Sequence, residues 1–213
     1  ASTRRRVPRI HLFDWFNWRE AGIRCELPPE ARALIEALAA VHGLPRLPLP
    51  AGFKAELRPY QQQGYDWLGF HYTHRLGACL ADDMGLGKTV QTIALLAAVA
   101  QGSVRQLGAP DDGKRKPHLL VLPPTLLYNW QSELARFAPS LTVSLLTGTR
   151  RDLSKLEADV LLTTYERVRR DASEFEQAAF DVVVFDEAQH VKNLNAARAQ
   201  AMRSLQANFR LCL

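Results

Sequence analysis

Apolar residues along this chain fall into two patterns. Short continuous apolar runs bounded by turn-forming or polar residues predict buried strands at Gly77–Asp82, His118–Pro123, Leu141–Leu146, Asp159–Thr163, Asp181–Asp186 and Asn208–Leu213. Between them lie stretches that predict helices at Pro59–His74, Lys88–Gln101, Thr125–Ala138 and Ala196–Leu205. This alternation implies an α/β fold, a mainly parallel sheet with helices on both faces. Right-handed crossovers then gather the carboxyl ends of the strands at one edge, where such folds hold ligands.

The pattern before Leu57 differs. Residues 1–28 mix arginines with Trp15, Phe16 and Trp18 and read as an accessory strand or hairpin segment. Pro28-Pro29 then opens a helix with Ala31, Leu34, Ile35 and Leu38 on one face, which Gly43 and Pro45 end. Leu44 to Phe53 carries Pro45, Pro48 and Pro50 and reads as a linker. The expected organisation is an accessory segment and linker over 1–50, then the main domain over 51–213. Gly102 to Pro117 is expected to be a polar surface loop, open to disorder.

Composition adds bounds. With 213 residues, 47% hydrophobic and 23% charged, the chain is an ordinary soluble composition with room for one substantial core. Cys25, Cys79 and Cys212 are few and widely spaced, which suggests neither a disulfide framework nor a metal knuckle and fits a reducing, cytoplasmic setting. Cys79 and Cys212 lie in apolar runs and read as small core residues. No segment reaches the roughly 18 apolar residues of a membrane span, and Arg4, Arg5, Arg6 and Arg9 precede no apolar stretch of a secretory signal. A net charge of +5 is compatible with a polyanionic partner without establishing one.

The run Ala81-Asp82-Asp83-Met84-Gly85-Leu86-Gly87-Lys88-Thr89 carries the chemistry. A glycine-rich turn from a strand into a helix presents backbone N–H groups and the positive end of the helix dipole to a phosphate. Lys88 can reach the β- and γ-phosphates, and the Thr89 hydroxyl can ligate Mg²⁺. The strict G-x-x-x-x-G-K-[ST] pattern is not met, because Asp82 stands at its first glycine. Val182-Val183-Val184-Phe185 followed by Asp186-Glu187 reads as a second strand ending at the same edge. There Asp186 can hold the same Mg²⁺ and Glu187 can orient or deprotonate water.

Several blocks occur together in order: Leu57-Arg58-Pro59-Tyr60-Gln61 with Gly64 and Trp67-Leu68, the loop just described continuing through Val90-Gln91-Thr92, Leu122-Pro123-Pro124-Thr125-Leu126-Leu127-Tyr128-Asn129-Trp130, Leu162-Thr163-Thr164-Tyr165-Glu166, and Asp186-Glu187-Ala188-Gln189-His190-Val191-Lys192-Asn193. Over about residues 57–213 the chain resembles the first RecA-like lobe of the Swi/Snf-type ATPases, duplex-DNA translocases of helicase superfamily 2. Gln189, where many members have His, looks more like a bacterial member.

The resemblance implies an ATP site in which Arg58 and Gln61 belong to the adenine-reading block. Asp83, Met84, Gly85, Leu86, Gly87, Lys88 and Thr89 would form the phosphate loop, Lys88, Asp186 and Glu187 would be catalytic, and Gln189 would join the nucleotide-binding residues. Asp83 stands where members commonly have Glu. It implies DNA-backbone contacts at Pro124 and Asn129, with Thr125 capping the helix, at the hydroxyls of Thr163 and Thr164, and at Lys192; the spacing of Trp130 with Leu126, Leu127, Leu134 and Phe137 reads as core instead. Such contacts carry no base information, so double-stranded DNA would be bound without strong sequence preference and with marked salt dependence. In the family the last strand leads into a Thr-Gly-Thr-Pro type motif and a second RecA-like lobe with an arginine finger. The expectation is therefore a fragment, nearly inactive alone, that works with that lobe, ATP, Mg²⁺, duplex DNA and proteins bound to it, associated with the nucleoid if bacterial. Two other readings stay open: a strand-separating DNA or RNA helicase of the same superfamily, and a non-catalytic docking module with the same fold.

Overall fold

The computed structural model describes residues 44–83, 85–108, 115–146, 157–189 and 196–213, with Arg32 and Leu153 as isolated positions. The chain divides into two compact units, 1–43 and 44–213, and the sheet belongs to the second. Apart from Arg32, the expected accessory segment and the helix after Pro28-Pro29 lie outside the described residues.

Six strands form one sheet: β1 (Ala78–Cys79), β2 (His118–Leu122), β3 (Val143–Leu145), β4 (Val160–Thr164), β5 (Ala179–Phe185) and β6 (Gln206–Cys212). Their spatial order is β1-β6-β5-β2-β4-β3, and every neighbouring pair is parallel. The helices are α1 (Pro59–Thr73), α2 (Lys88–Ala100), α3 (Leu127–Phe137), α4 (Tyr165–Arg170), α5 (Ala172–Gln177) and α6 (Ala196–Ser204). The α/β alternation expected from the apolar pattern is therefore the fold.

Alternate strand residues feed two cores, as a sheet buried on both faces requires. On one face Leu120, Leu122, Val160, Leu162, Val182 and Val184 pack with Tyr65, Leu68, Ile93, Leu96, Trp130 and Leu134 of α1, α2 and α3. On the other, Leu119, Val121, Leu161, Val183 and Phe185 pack with Val168, Phe175 and Met202 of α4, α5 and α6. Helix α2 is buried continuously from Gln91 to Val99, because α1 and α3 both pack against it.

The differences from expectation have local causes. Strand β1 is shorter than its apolar run because it lies at the sheet's edge; after Cys79 only the Leu80 N–H still reaches the Cys212 carbonyl, at 2.8 Å. Its edge position also exposes Cys79, and Cys212, its register partner, is half-buried with its thiol pKa raised by burial, so neither is a sealed core residue. Thr125 caps no helix: Pro124–Leu126 form a 3₁₀ turn, and α3 starts at Leu127 without a side-chain cap. The proline-rich stretch from Leu44 is not a free linker. The Leu47 N–H donates to Asp66 Oδ1 (2.9 Å), Gln62 Nε2 to the Leu47 carbonyl (3.0 Å) and Tyr65 OH to the Pro48 carbonyl (3.0 Å), while Leu47, Leu49 and Phe53 pack on the core. The loop after α2 is likewise docked where it is described: Val104 is buried, and Gln106 Nε2 donates to the Asn208 carbonyl at 3.1 Å. Among the described residues no helix is long and apolar enough to cross a membrane.

His118 opens β2 at the edge opposite the phosphate loop. It is 2% exposed, and its Nδ1 has no hydrogen-bond partner among the described residues. Burial holds its pKa below the ordinary 6.5, against the opposing pull of Asp181, the Leu96 backbone and Asp159. His71 and His74 are shifted the same way, chiefly by burial. A depressed folded-state pKa means the unfolded chain takes up protons first, so this stability is intact above 6.5 and is lost as pH falls through 6.5 toward the lower folded value. The urea midpoint should fall between about pH 7.5 and pH 5.5, and His118→Gln should narrow that difference. An undiminished difference in the variant would clear His118 of the effect.

Candidate active site

The phosphate-loop candidate leaves β1 and enters α2 directly. Gly87 is the residue before α2, with φ 79°, and Gly85 has φ 85°, both in the left-handed region that glycine adopts without strain. At Gly87 a Cβ would also stand 2.4 Å from Gln61 Nε2, so a side chain there would have to displace the Gln61 amide. At Gly85, nothing among the described residues lies within 4 Å of where a Cβ would be, so that face of the loop is open to a ligand. Lys88 begins α2 half-buried, and its Nζ donates to the Asp82 carbonyl at 2.6 Å, which keeps the ammonium over the turn. Thr89 is half-buried, Asp83 and Leu86 are exposed, and Met84 is outside the described residues.

Helix α1 braces this loop. Pro59 starts it with a preset φ, and Gln61 in its first turn accepts the Arg58 N–H at Oε1 (2.9 Å) and donates from Nε2 to the Leu86 carbonyl (3.2 Å). The second Gln61 N–H makes a long bond to Tyr60 OH at 3.5 Å, and Oε1 keeps one further lone pair. Arg58 is exposed beside it. One helix turn beyond the loop, Gln91 is fully buried and donates from Nε2 to the Gly87 carbonyl at 3.3 Å. A Cβ on Gly64 would fall 1.9 Å from Gln91 Oε1, so a larger residue there would have to displace the buried Gln91 amide.

Asp186 and Glu187 follow β5 at the same carboxyl edge. Only β6 separates β5 from β1, so the loop and the acidic pair stand roughly 10 Å apart, two strand spacings. Asp186 is closely held: Oδ2 accepts the Trp130 indole N–H at 2.7 Å, Oδ1 accepts the Glu187 N–H at 2.9 Å, and its carbonyl accepts Tyr165 OH at 2.8 Å. Glu187 has φ 53°, a strained value for a residue with a side chain. The turn it makes sends the Ala188 N–H to the Leu213 carbonyl (3.1 Å), and Glu187 Oε2 accepts a short hydrogen bond from exposed Gln189 Nε2.

Two residues of this arrangement, Trp130 and Tyr165, were not expected as site residues. Trp130 is buried as the spacing implied, but its nitrogen serves Asp186. Tyr165 heads α4, and its phenol pKa is raised by burial and then by Asp186, Cys212 and Glu187, so it stays a protonated donor. No spacing pattern signals either role.

The expected DNA-backbone residues separate. Pro124 and Asn129 are exposed just beyond β2, beside Tyr128, which is 73% exposed. Thr163 departs from the expectation: it is 0% exposed within β4, and its hydroxyl has no hydrogen-bond partner among the described residues. Thr164 is half-buried, and its Oγ1 accepts the Arg167 N–H at 3.2 Å as the cap of α4. Lys192 lies outside the described residues.

The oxygen set of Thr89 and Asp186 suits a hard cation such as Mg²⁺. Among the described residues no three His, Cys, Asp or Glu side chains converge on a metal position. A Mg²⁺ ion here would therefore be completed by phosphate oxygens and water, its usual manner of binding.

Residues 60–213 match the SNF2-related domain family. YwqA of Bacillus subtilis, provisionally named an ATP-dependent helicase/translocase, is 39% identical over 200 residues, covering 91% of this chain and 21% of YwqA. Helicase SWR1 of Eremothecium gossypii is 37% identical over 175 residues, covering 78% of this chain and 11% of that protein. The Sulfolobus solfataricus SWI2/SNF2 ATPase core in complex with dsDNA superimposes with a TM-score of 0.66 at 36% identity, over 78% of this chain and 33% of that one. The Sulfolobus solfataricus SWI2/SNF2 ATPase core domain gives 0.69 at 34% identity, over 82% of this chain and 34% of that one. The chain thus spans about a fifth of YwqA and a third of the Sulfolobus cores.

Proposed function

This chain belongs to the SNF2-related family and has the fold of a RecA-like ATPase lobe, and on that premise we propose that it is the ATP-binding lobe of a DNA-dependent ATPase that translocates on double-stranded DNA and remodels protein–DNA complexes. The observation that carries this reading is the placement of the Gly87-Lys88-Thr89 turn and the Asp186-Glu187 pair on one carboxyl edge with a single strand between them.

In this reading the N–H groups of the Gly85–Thr89 turn and the Lys88 ammonium take the β- and γ-phosphates of ATP. The Gln61 amide, once its long bond to Tyr60 OH is exchanged, suits the N6 and N7 edge of adenine, with Arg58 beside it. Thr89 and Asp186 hold Mg²⁺, whose chemistry is to neutralise charge developing on the phosphates. Glu187, steadied by Gln189, orients the attacking water and draws its proton. These effects are positioning and electrostatics, which is where phosphoryl transfer finds its acceleration.

Duplex DNA is the proposed track because a solved relative is an ATPase core in complex with dsDNA. Pro124, Asn129 and Lys192 are the residues of this lobe assigned to its backbone; Thr164 is left to its cap and Thr163 to the core. A second RecA-like lobe is proposed to complete the nucleotide cleft and supply an arginine finger, in keeping with the third of the Sulfolobus core that this chain spans. The proposed setting is the cytoplasm, and the nucleoid if the chain is bacterial.

The test joins this lobe to a second such lobe and supplies ATP and a duplex carrying a third, triplex-forming strand. Translocation should strip the third strand and leave the duplex annealed. Separation of the duplex strands would favour the helicase alternative, and neither event with intact ATP binding would favour a docking module.

A further inference from the structure

We propose that Trp130 is a positioning residue that fixes the Asp186 carboxylate for magnesium; this rests on the nucleotide-site reading above. An indole nitrogen is a donor only, and when buried it must find an acceptor. Trp130 is 1% exposed on α3, and its N–H is aimed at Asp186 Oδ2, 2.7 Å away and 56 residues along the chain. Leu127 and Leu134, buried on the same face, lock α3 to the core, so the donor has a fixed address.

Asp186 needs that address. It stands just past the end of β5, half-buried, where a carboxylate attached to a turn would otherwise rotate among its rotamers. Its own Glu187 N–H holds Oδ1 from the backbone side at 2.9 Å, while the indole holds Oδ2 from another element. Tyr165 OH fixes the main chain beneath at 2.8 Å. Two oxygens with one hydrogen bond each keep lone pairs for a cation, now presented in one orientation. Outer donors of this kind govern metal affinity although they never touch the metal.

The experiment titrates ATP to millimolar concentrations into the ¹⁵N-labelled chain, once in EDTA and once in excess Mg²⁺, following the Gly85 and Gly87 amides and the Trp130 indole N–H. The glycine amides should respond in both conditions, and the indole should respond chiefly with Mg²⁺. In Trp130→Phe, which removes the N–H and keeps an aromatic ring, affinity in EDTA should be retained. The tightening that Mg²⁺ brings should shrink about tenfold, the low end for loss of an outer donor. An indole indifferent to Mg²⁺·ATP while the glycines respond would overturn the positioning role, as would a variant weakened equally in both conditions, which marks a merely structural residue. If the wild-type glycines respond to neither form of ATP, the nucleotide-site reading fails and the role of Trp130 fails with it.

Discussion

Lys88→Ala should weaken Mg²⁺·ATP binding by about 3 kcal/mol, on the order of a hundredfold, which is the scale for removing hydrogen bonds to a charged group. The loss follows from geometry. Lys88 is the first residue of α2, and its ammonium already lies over the turn, bonded to the Asp82 carbonyl. Phosphate oxygens held by the turn's N–H groups would meet that charge without rearrangement of the helix. The same substitution should cost the fold little: Asp82 is half-exposed, so water can replace the lost donor to its carbonyl. Calorimetric titration beside a thermal melt separates the two effects. A hundredfold weaker site in an equally stable protein supports the assignment. Binding indifferent to Lys88 would place the nucleotide elsewhere on the chain. Turnover by the wild-type chain in the same vessel should be slow, since an arginine finger from a second lobe is worth about 10³ to 10⁵ in rate.

The parts of this site that sequence could disclose are those whose chemistry and local structure coincide. A strand that runs into Gly85, Gly87, Lys88 and Thr89, and another that runs into Asp186 and Glu187, announce a glycine-rich turn and an acidic pair at strand ends. The crossover rule then brings the two to one edge of the sheet. The hydrogen bond from Trp130 to Asp186 is of another kind. Helical spacing with Leu127 and Leu134 identifies a buried face, and Trp130 is indeed buried, but nothing in that spacing tells where an indole nitrogen points. Its acceptor belongs to a strand that reaches the site by a separate path through the fold.

Thr163 and Thr164 show the opposite failure. Adjacent hydroxyls at a strand end look equivalent in sequence, yet a parallel sheet covered on both faces buries one of them outright. The other becomes the cap of α4, and that helix, like α5, is six residues long, too short for a 3.6-residue period to show. The proline-rich stretch near Pro48 misled for a related reason. Prolines forbid regular structure there, but the chain still satisfies its polar backbone groups by lying along α1, through Asp66, Gln62 and Tyr65.

Glu187→Gln should leave nucleotide binding nearly intact and reduce DNA-stimulated ATP hydrolysis, measured in a protein that joins this lobe to a second, by about 10² to 10⁴, the range assigned to a positioned acid or base. The substitution is close to isosteric, and the strained turn at φ 53° is set by the backbone: the Glu187 N–H is caught by Asp186 Oδ1, and the Ala188 N–H by the Leu213 carbonyl. Gln189 Nε2 can donate to an amide oxygen at position 187 as it does to the carboxylate. What the amide cannot do is accept the proton of the attacking water. Asp186→Asn offers the contrast: it leaves the proton acceptor in place but removes the negative charge and one of the two oxygens available to Mg²⁺, so its defect should appear as a raised Mg²⁺ requirement. If Glu187→Gln instead lowered affinity and turnover in parallel, Glu187 would be a binding residue. If turnover survived the substitution, the proton would have to leave through another group, and Glu187 would lose its assignment as the base.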